Sequence, residues 1–202
     1  MKDKKIRVLG LDLAALEHRE SALCLMDESM KVKSLLLKKD EEILNYIFKK
    51  KPHLIAIDAP LNFAKSKGFR SCDREVIKLG IRLFPPDFGY MKQLTLRGIK
   101  IKELLEASGF KVIEVFPGAF KQLLKIPRKD KTMIRETLIN LGVKRIREDV
   151  SLDELDAIIA AIVALLYLKD KSISLGDNKE GQIVIPKLKE LEAIKRGSSL
   201  LL

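Results

Sequence analysis

The sequence predicts one α/β domain with a mixed, three-layer arrangement, in which a five-stranded sheet is flanked by helices. Three features support this: three short apolar segments with short links, an alternation of strand and helix after them, and an uncharged run at 157–168. Short links favour antiparallel neighbours, whereas strands separated by a helix usually pair in parallel through a right-handed crossover. The 202 residues are enough for a substantial core, and we expect residues 1–202 to form one domain.

The first predicted strand, residues 6–13, is apolar on both faces, which is typical of a central strand. Alternation places Asp12 at its C-terminal end, on the same face as Val8 and Gly10. Gly10 leaves space there for the close approach of a backbone or a ligand. The other two strands of the expected antiparallel meander are at residues 21–26 and 31–37.

An amphipathic helix is expected at 40–50, followed by a buried strand at 54–58 that pairs in parallel with the first strand. Asp58 closes this strand, and is therefore the second aspartate at the end of a central strand. The next strand is expected at 111–116, with Glu114 on one of its faces.

Residues from about 62 to 91 form the least regular part of the chain, interrupted by glycines and prolines, with one helix expected at 73–79. Because long irregular segments beside a site usually carry function, we expect this insertion to face the substrate. The remaining helices are predicted at 92–108, 119–124, 131–141 and 187–195.

The helix that begins after Ser151 is the centre of the prediction. Ser151 and Glu154 have the spacing of a capping box, and the uncharged run that follows is too short to span a bilayer. Asp153 and Asp156 are three residues apart, on one face at the start of this buried helix. Since buried acids are costly unless a cation meets them, we expect a positive partner here.

The predicted order of elements brings Asp12, Asp58, Asp153 and Asp156 to one region. Each has an ordinary alternative role, for example in favourable interaction with a helix dipole or in a turn. Together, however, clustered carboxylates raise one another's pKa values unless cations compensate. Oxygen ligands are those that Mg²⁺ and Mn²⁺ prefer, and two such ions could promote hydrolysis of a phosphodiester. Glu114 is either a fifth ligand, a supporting group or the partner of a nearby arginine.

The formal net charge of +11 is concentrated between Lys121 and Arg147, a segment that contains nine Lys or Arg residues and two acidic residues. Such a segment, which includes Arg128 and Lys131, favours a polyanionic partner such as nucleic acid, with a solvated basic surface as the alternative. Three further arginines could bind phosphate oxygens or instead neutralise Asp73 or Glu75. They are Arg70, Arg74 and Arg97.

The composition is that of a globular chain, with 47% hydrophobic and 33% charged residues. Two cysteines and two histidines show no metal-ligand spacing, which argues against zinc and favours a reduced, cytoplasmic location. No secretory signal is visible, and we expect no membrane association.

Five motifs, in chain order, carry a resemblance to a known family. They are Gly10-Leu11-Asp12, Ile57-Asp58-Ala59-Pro60-Leu61, Arg70-Ser71-Cys72-Asp73-Arg74, Glu114-Val115-Phe116-Pro117 and Asp153-Glu154-Leu155-Asp156-Ala157. Together they resemble a domain of unknown function described as predicted nucleases with a ribonuclease H-like fold. The strand acids and the helical acid pair are also similar to Holliday-junction resolvases of that superfamily.

This resemblance implies a metal-dependent nuclease whose metal ligands are Asp12, Asp58, Asp153 and Asp156, with Mg²⁺ or Mn²⁺ as cofactor and DNA or RNA as partner. The resolvase branch also implies a homodimer. The fold also hosts phosphotransferases of the actin-like ATPase group, which bind ATP through glycine-rich phosphate loops. The segment Gly10-Leu11-Asp12-Leu13-Ala14 lacks the following glycine of such a loop, which disfavours that alternative. A nucleic-acid-binding protein without catalysis is the third hypothesis.

Overall fold

The computed structural model describes residues 5–195. The strands are β1 (Arg7–Asp12), β2 (Ser21–Asp27), β3 (Val32–Leu37), β4 (Leu54–Asp58), β5 (Val112–Val115), β6 (Ser172–Asp177) and β7 (Gly181–Pro186). The helices are α1 (Asp40–Lys50), α2 (Ser71–Lys78), α3 (Tyr90–Ala107), α4 (Pro117–Leu123), α5 (Lys131–Asn140), α6 (Leu152–Leu168) and α7 (Leu188–Lys195). Most predicted boundaries agree with these within two residues.

The strands form one mixed sheet in the order β3-β2-β1-β4-β5-β7-β6. β1, β2 and β3 make the predicted antiparallel meander, whereas β4 pairs in parallel with β1, and β5 pairs in parallel with β4. The predicted ribonuclease H-like arrangement, a mixed five-stranded sheet with helices on both sides, is therefore confirmed in β1 to β5.

The sheet is larger than predicted, because a hairpin of β6 and β7 extends it beyond β5. β7 pairs in parallel with β5, and β6 lies at the sheet edge, antiparallel to β7. The sequence of β6, Ser-Ile-Ser-Leu-Gly-Asp, is half exposed and lacks a continuous apolar face, so its pattern did not indicate a strand. A short turn at 178–180 joins the two strands.

Apolar side chains alternate between the two faces of the sheet and build a core on each. Val8 and Ala56 pack on the side of α4, α5 and α6, whereas Leu9 and Ile55 pack on the side of α1 and α3. By the same alternation Asp12 and Asp58 lie on the α6 side.

The start of α6 confirms the predicted capping box. The backbone N–H of Glu154 donates to Ser151 Oγ at 3.1 Å, and the backbone N–H of Ser151 donates to Glu154 Oε2 at 3.0 Å. From Ala157 to Leu166 every residue of α6 is buried. Among the described residues, no helix is both long and apolar enough to cross a membrane.

Candidate active site

Asp12 and Asp58 form the fixed part of the site. They are directly opposite one another in the parallel pairing of β1 with β4, each at the C-terminal end of its strand and on the same face of the sheet. The predicted adjacency of these two acids therefore follows from the strand register. Both side chains are half-buried.

The first turn of α6 supplies Asp153 and Asp156. The helix can approach β1 closely because Gly10 has no side chain: a Cβ there would lie 2.0 Å from the carbonyl oxygen of Ala157. Asp156 precedes Ala157, so the contact at Gly10 brings the acids of the helix toward those of the strands. Asp153 is exposed, whereas Asp156 is half-buried.

Electrostatic repulsion shows that the acids share one environment. Burial raises the pKa of Asp12 well above its ordinary value, and repulsion from Asp58, Asp156 and Asp153 raises it further, in that order. Burial also raises the pKa of Asp58, and Asp156 adds to this effect. The pKa of Asp156 is raised too, chiefly by burial. The carboxylates therefore lie close enough to resist simultaneous ionisation without a cation.

Lys121 of α4 supplies one positive charge to this cluster. Its Nζ donates to both carboxylate oxygens of Asp156, at 2.7 and 2.8 Å, and its side chain is almost fully buried. The Lys121 ammonium accordingly opposes the rise in the pKa values of Asp12, Asp58 and Asp156. The sequence predicts a positive partner for the helical acids but does not identify this residue. The available signal was its position next to Phe120, on the apolar side of a short helix.

The donor set suits a hard divalent ion, because it consists only of carboxylate oxygens that carry excess negative charge. Within residues 5–195, however, no three acidic, histidine or cysteine side chains already surround a single ion position. Asp156 is bonded to Lys121 instead. Cation binding at Asp156 therefore requires Lys121 to move or to share the carboxylate.

Glu114 is not part of this cluster's face. Its register partner on β4 is Ile57, which packs on the side of α1 and α3, so Glu114 lies on the face opposite Asp58. Its carboxylate accepts two hydrogen bonds from Arg70, at 2.6 and 2.8 Å, and one from the backbone N–H of Leu61 at 2.8 Å. Of the roles considered for Glu114, the structure shows that of an arginine partner.

Arg70 is fully buried between two acids. Besides Glu114, it binds Asp73 through Nε and Nη2, at 3.1 and 2.8 Å. Burial lowers the pKa of Arg70, but the hydrogen bonds and charges of Glu114 and Asp73 raise it by more, so the guanidinium stays charged. Each nitrogen of the Arg70 guanidinium donates to Asp73 or Glu114, so the alternative in which Arg70 neutralises Asp73 is the one observed.

The other arginines predicted to bind substrate occupy different positions. Arg97 is buried, and donates to Asp40 at 2.8 Å and to the carbonyl oxygens of Ala14 and Lys38 at 2.6 and 2.8 Å. Arg74 is exposed and donates to the carbonyl oxygen of Phe69. Thus Arg97, like Arg70, holds the structure together, and Arg74 remains accessible.

The insertion is tied to the β6–β7 hairpin by Glu180. The carboxylate of Glu180 accepts hydrogen bonds from the backbone N–H groups of Lys65 and Ser71, at 2.9 and 2.8 Å. These contacts fasten both ends of the segment that precedes α2.

Two depressions flank the strand acids. A groove of about 810 Å³ is lined by Asp12 and Asp153, together with His18, Arg19 and Lys38. A smaller pocket of about 130 Å³ contains Asp58. Asp12 therefore borders a large open groove, and Asp58 borders a smaller pocket.

The basic segment contributes mostly exposed charges. Seven of its nine cations are exposed, whereas Lys121 and Arg135 are not. The exposed residues are Lys125, Arg128, Lys129, Lys131, Lys144, Arg145 and Arg147. Arg128 also lines the small pocket beside Asp58, so part of this surface adjoins the acids.

No model of a known protein family matches the sequence, and no curated protein matches it either. Among solved structures, the chain is similar to T. thermophilus RuvC in complex with a Holliday junction substrate. The identity is 13% and the TM-score 0.48, over 88% of this chain and 99% of that chain. A structure of Thermus thermophilus RuvC is similar at 14% identity and a TM-score of 0.48, over 82% of this chain and 96% of that one.

Proposed function

We propose that the protein is a divalent-metal-dependent nuclease that hydrolyses phosphodiester bonds of nucleic acid. The observation that carries the proposal is the convergence of Asp12, Asp58 and Asp156, whose pKa values are all raised by burial and further by the charge of at least one other acid of the cluster. Such a cluster is costly to maintain and is characteristic of functional sites.

In this proposal Mg²⁺ or Mn²⁺ is held by Asp12, Asp58, Asp153 and Asp156. When bound, these ions would polarise a water molecule and neutralise charge on the leaving oxygen. The two strand acids provide rigid positions, because their register is fixed by paired backbones. The two helical acids complete the donor set from the first turn of α6.

Lys121 holds Asp156 within the cluster and reduces repulsion among the acids. The exposed side chains of Arg128 and Lys131 would attract the phosphate backbone of the substrate without reading its sequence. The groove beside Asp12 and Asp153 would accept that backbone.

The direct test is cleavage of labelled single-stranded, duplex and four-way-junction DNA, and of RNA, in the presence of Mg²⁺ or Mn²⁺. Asp12→Asn should reduce cleavage by about a thousandfold or more, because Asp12 interacts electrostatically with all three of the other acids. Asp149→Asn is the matched control, since Asp149 lies on the segment leading into α6 and is 79% exposed. It should cleave like wild type.

Calorimetric titration of Mn²⁺ gives a second measurement that does not depend on finding the substrate. Saturable binding that Asp12→Asn abolishes and Asp149→Asn retains would support the site. The proposal is wrong if wild type and Asp12→Asn bind the ion equally, or if they cleave any substrate equally well.

A second function, binding of nucleic acid without catalysis, is favoured by the contact between Lys121 and Asp156. A buried ammonium can neutralise the acid permanently and so make a metal unnecessary. That protein would bind nucleic acid in EDTA, with an affinity unchanged by Asp12→Asn, and would cleave nothing with either ion.

A further inference from the structure

We propose that the small pocket beside Asp58 binds a single unstacked nucleobase of the substrate strand, and that Phe84 and Phe116 provide its stacking surfaces. This inference rests on the proposed function, since it places the base next to the carboxylate site. It adds a subsite that holds one base in position.

The pocket lies outside the carboxyl ends of β4 and β5, where ligands bind in open α/β sheets. Asp58 forms part of its wall, and α3 and the segment after α2 form other parts. Because Asp58 belongs to both the pocket and the carboxylate cluster, a group in the pocket lies close to any phosphate held by the acids. A base attached to that phosphate's strand is within reach.

Phe116 is held in a defined orientation by the helix that follows it. A Cβ at Gly118 would come within 2.6 Å of the Phe116 ring, so the ring packs directly on the backbone of α4. The guanidinium of Arg128 lies 5.7 Å from the centre of this ring, and its Nη2 donates to the carbonyl oxygen of Arg82 at 2.8 Å. The pocket thus combines a fixed aromatic ring with a cation.

Phe84 contributes a second aromatic side chain, from the insertion. It is 66% exposed although it is large and apolar, and it lines the pocket together with Arg82 and Leu83. Proteins that bind single-stranded nucleic acids stack the bases on exposed aromatic side chains, and neighbouring arginines add to the binding.

Size and charge identify a base rather than a larger or a charged ligand. The volume of about 130 Å³ suits one planar ring system and not a whole nucleotide. In the wall of the pocket, Arg70 is already bonded to Asp73 and Glu114, and Asp58 is acidic, which disfavours a phosphate inside. Arg82 and Arg128 also line the pocket but are exposed, so they can attract the phosphates next to the base. The arrangement therefore separates the uncharged base from the charged backbone.

The test compares Phe84→Leu with Phe88→Leu in the full-length chain. The two phenylalanines belong to the same insertion and are equally exposed, at 66% and 65%, but only Phe84 lines the pocket. The probe is a single-stranded oligothymidylate with one 5-iodouracil, bound to the Asp12→Asn protein in Ca²⁺. Affinity is measured by fluorescence anisotropy, and photo-crosslinked residues are identified by mass spectrometry.

We expect Phe84→Leu to weaken binding about tenfold, as for the loss of one stacked base. Phe88→Leu should change affinity less than twofold. Crosslinks should fall on Phe84, Phe116 or Met91, all of which line the pocket, and Phe84→Leu should shift or remove them. Phe116→Leu serves as a second variant, once its thermal unfolding matches that of wild type.

Equal effects of Phe84→Leu and Phe88→Leu, crosslinks only outside the pocket, or no binding of the oligonucleotide would each overturn the inference. Cleavage that depends on Asp12 but is insensitive to Phe84→Leu would overturn the pocket and leave the nuclease intact. Conversely, Phe84-dependent crosslinking by a protein that cleaves nothing would support the pocket and reject the nuclease.

Discussion

Gly10 of β1 and Ala157 of α6 are in such close contact that a Cβ on Gly10 would lie 2.0 Å from the carbonyl oxygen of Ala157. Asp12 lies two residues beyond Gly10, and Asp156 immediately precedes Ala157. The distance between the strand acids and the helical acids is therefore set by a contact between two backbones.

Substitution of Gly10 by alanine should consequently separate α6 from the sheet. Neither contacting group can move aside, because both are backbone atoms, and the clash should lower the free energy of unfolding by about 3 kcal/mol or more. Urea unfolding monitored by circular dichroism measures the change. If Gly10→Ala is as stable as wild type and binds Mn²⁺ equally, the described packing is incorrect.

Removal of the Lys121 ammonium should make the protein depend on metal for stability. Lys121→Met leaves Asp156 without its cation, and should lower the free energy of unfolding in EDTA by roughly 2 kcal/mol. The loss is moderate because Asp156 is 23% exposed. Mn²⁺ should restore this stability, and should bind the variant more tightly than wild type, since it no longer competes with the ammonium.

Thermal unfolding in EDTA and in Mn²⁺ distinguishes these effects. Lys129→Met is a suitable control, because Lys129 is exposed in the same basic segment and should be neutral in both conditions. Lys121→Met with wild-type stability in EDTA would argue against the ion pair.

The raised pKa values of Asp12, Asp58 and Asp156 predict an unusual pH dependence for the metal-free protein. Between the ordinary pKa of 3.8 and the raised values, the folded state binds more protons than the unfolded chain. These three groups therefore favour folding at acidic pH, and their contribution falls as the pH rises through that window. Asp12→Asn removes one of them and relieves the others.

The difference in free energy of unfolding between Asp12→Asn and wild type should accordingly increase from about pH 4 to about pH 7 in EDTA. Urea unfolding at several pH values gives this difference directly, and titrating groups that do not interact with Asp12 cancel in it. A difference that stays constant over the range would show that Asp12 ionises normally.

Arg70 should be essential for folding rather than for substrate binding. Arg70→Met leaves Glu114 and Asp73 buried without their common cation, and should cost about 3–5 kcal/mol. Arg74→Met, at the other end of the same motif, should cost less than about 1 kcal/mol, because Arg74 is 56% exposed. Equal stabilities, measured by chemical denaturation, would contradict the structure.

Local patterns were sufficient to predict where the acids of β1, β4 and α6 lie in the fold. Strand-end position, two-residue alternation and the capping box at Ser151 are all properties of short segments, and the crossover rule placed Asp58 beside Asp12. The contact between Gly10 and Ala157, by contrast, could not be predicted, because it depends on how α6 packs on the sheet.

The surroundings of Glu114 and Arg70 could not be predicted from local patterns. Alternation assigns Glu114 to a face of β5 but does not say which helices cover that face, which depends on its register with Ile57. Arg70 and Arg97 carry long charged side chains that sequence alone places at a surface, whereas here each is buried by acids distant in sequence. The contact of Lys121 with Asp156 could not be predicted for the same reason.

Glu180 also has a consequence for the order in which the chain acquires its shape during synthesis. Its bonds to the backbone of Lys65 and Ser71 join segments more than 100 residues apart. A ribosome releases the insertion long before it releases Glu180, and chains fold from the N-terminal end as they emerge. The strands that end in Asp12 and Asp58 can therefore pair while translation continues. The wall of the small pocket beside Asp58, however, is completed only after the β6–β7 hairpin has been made.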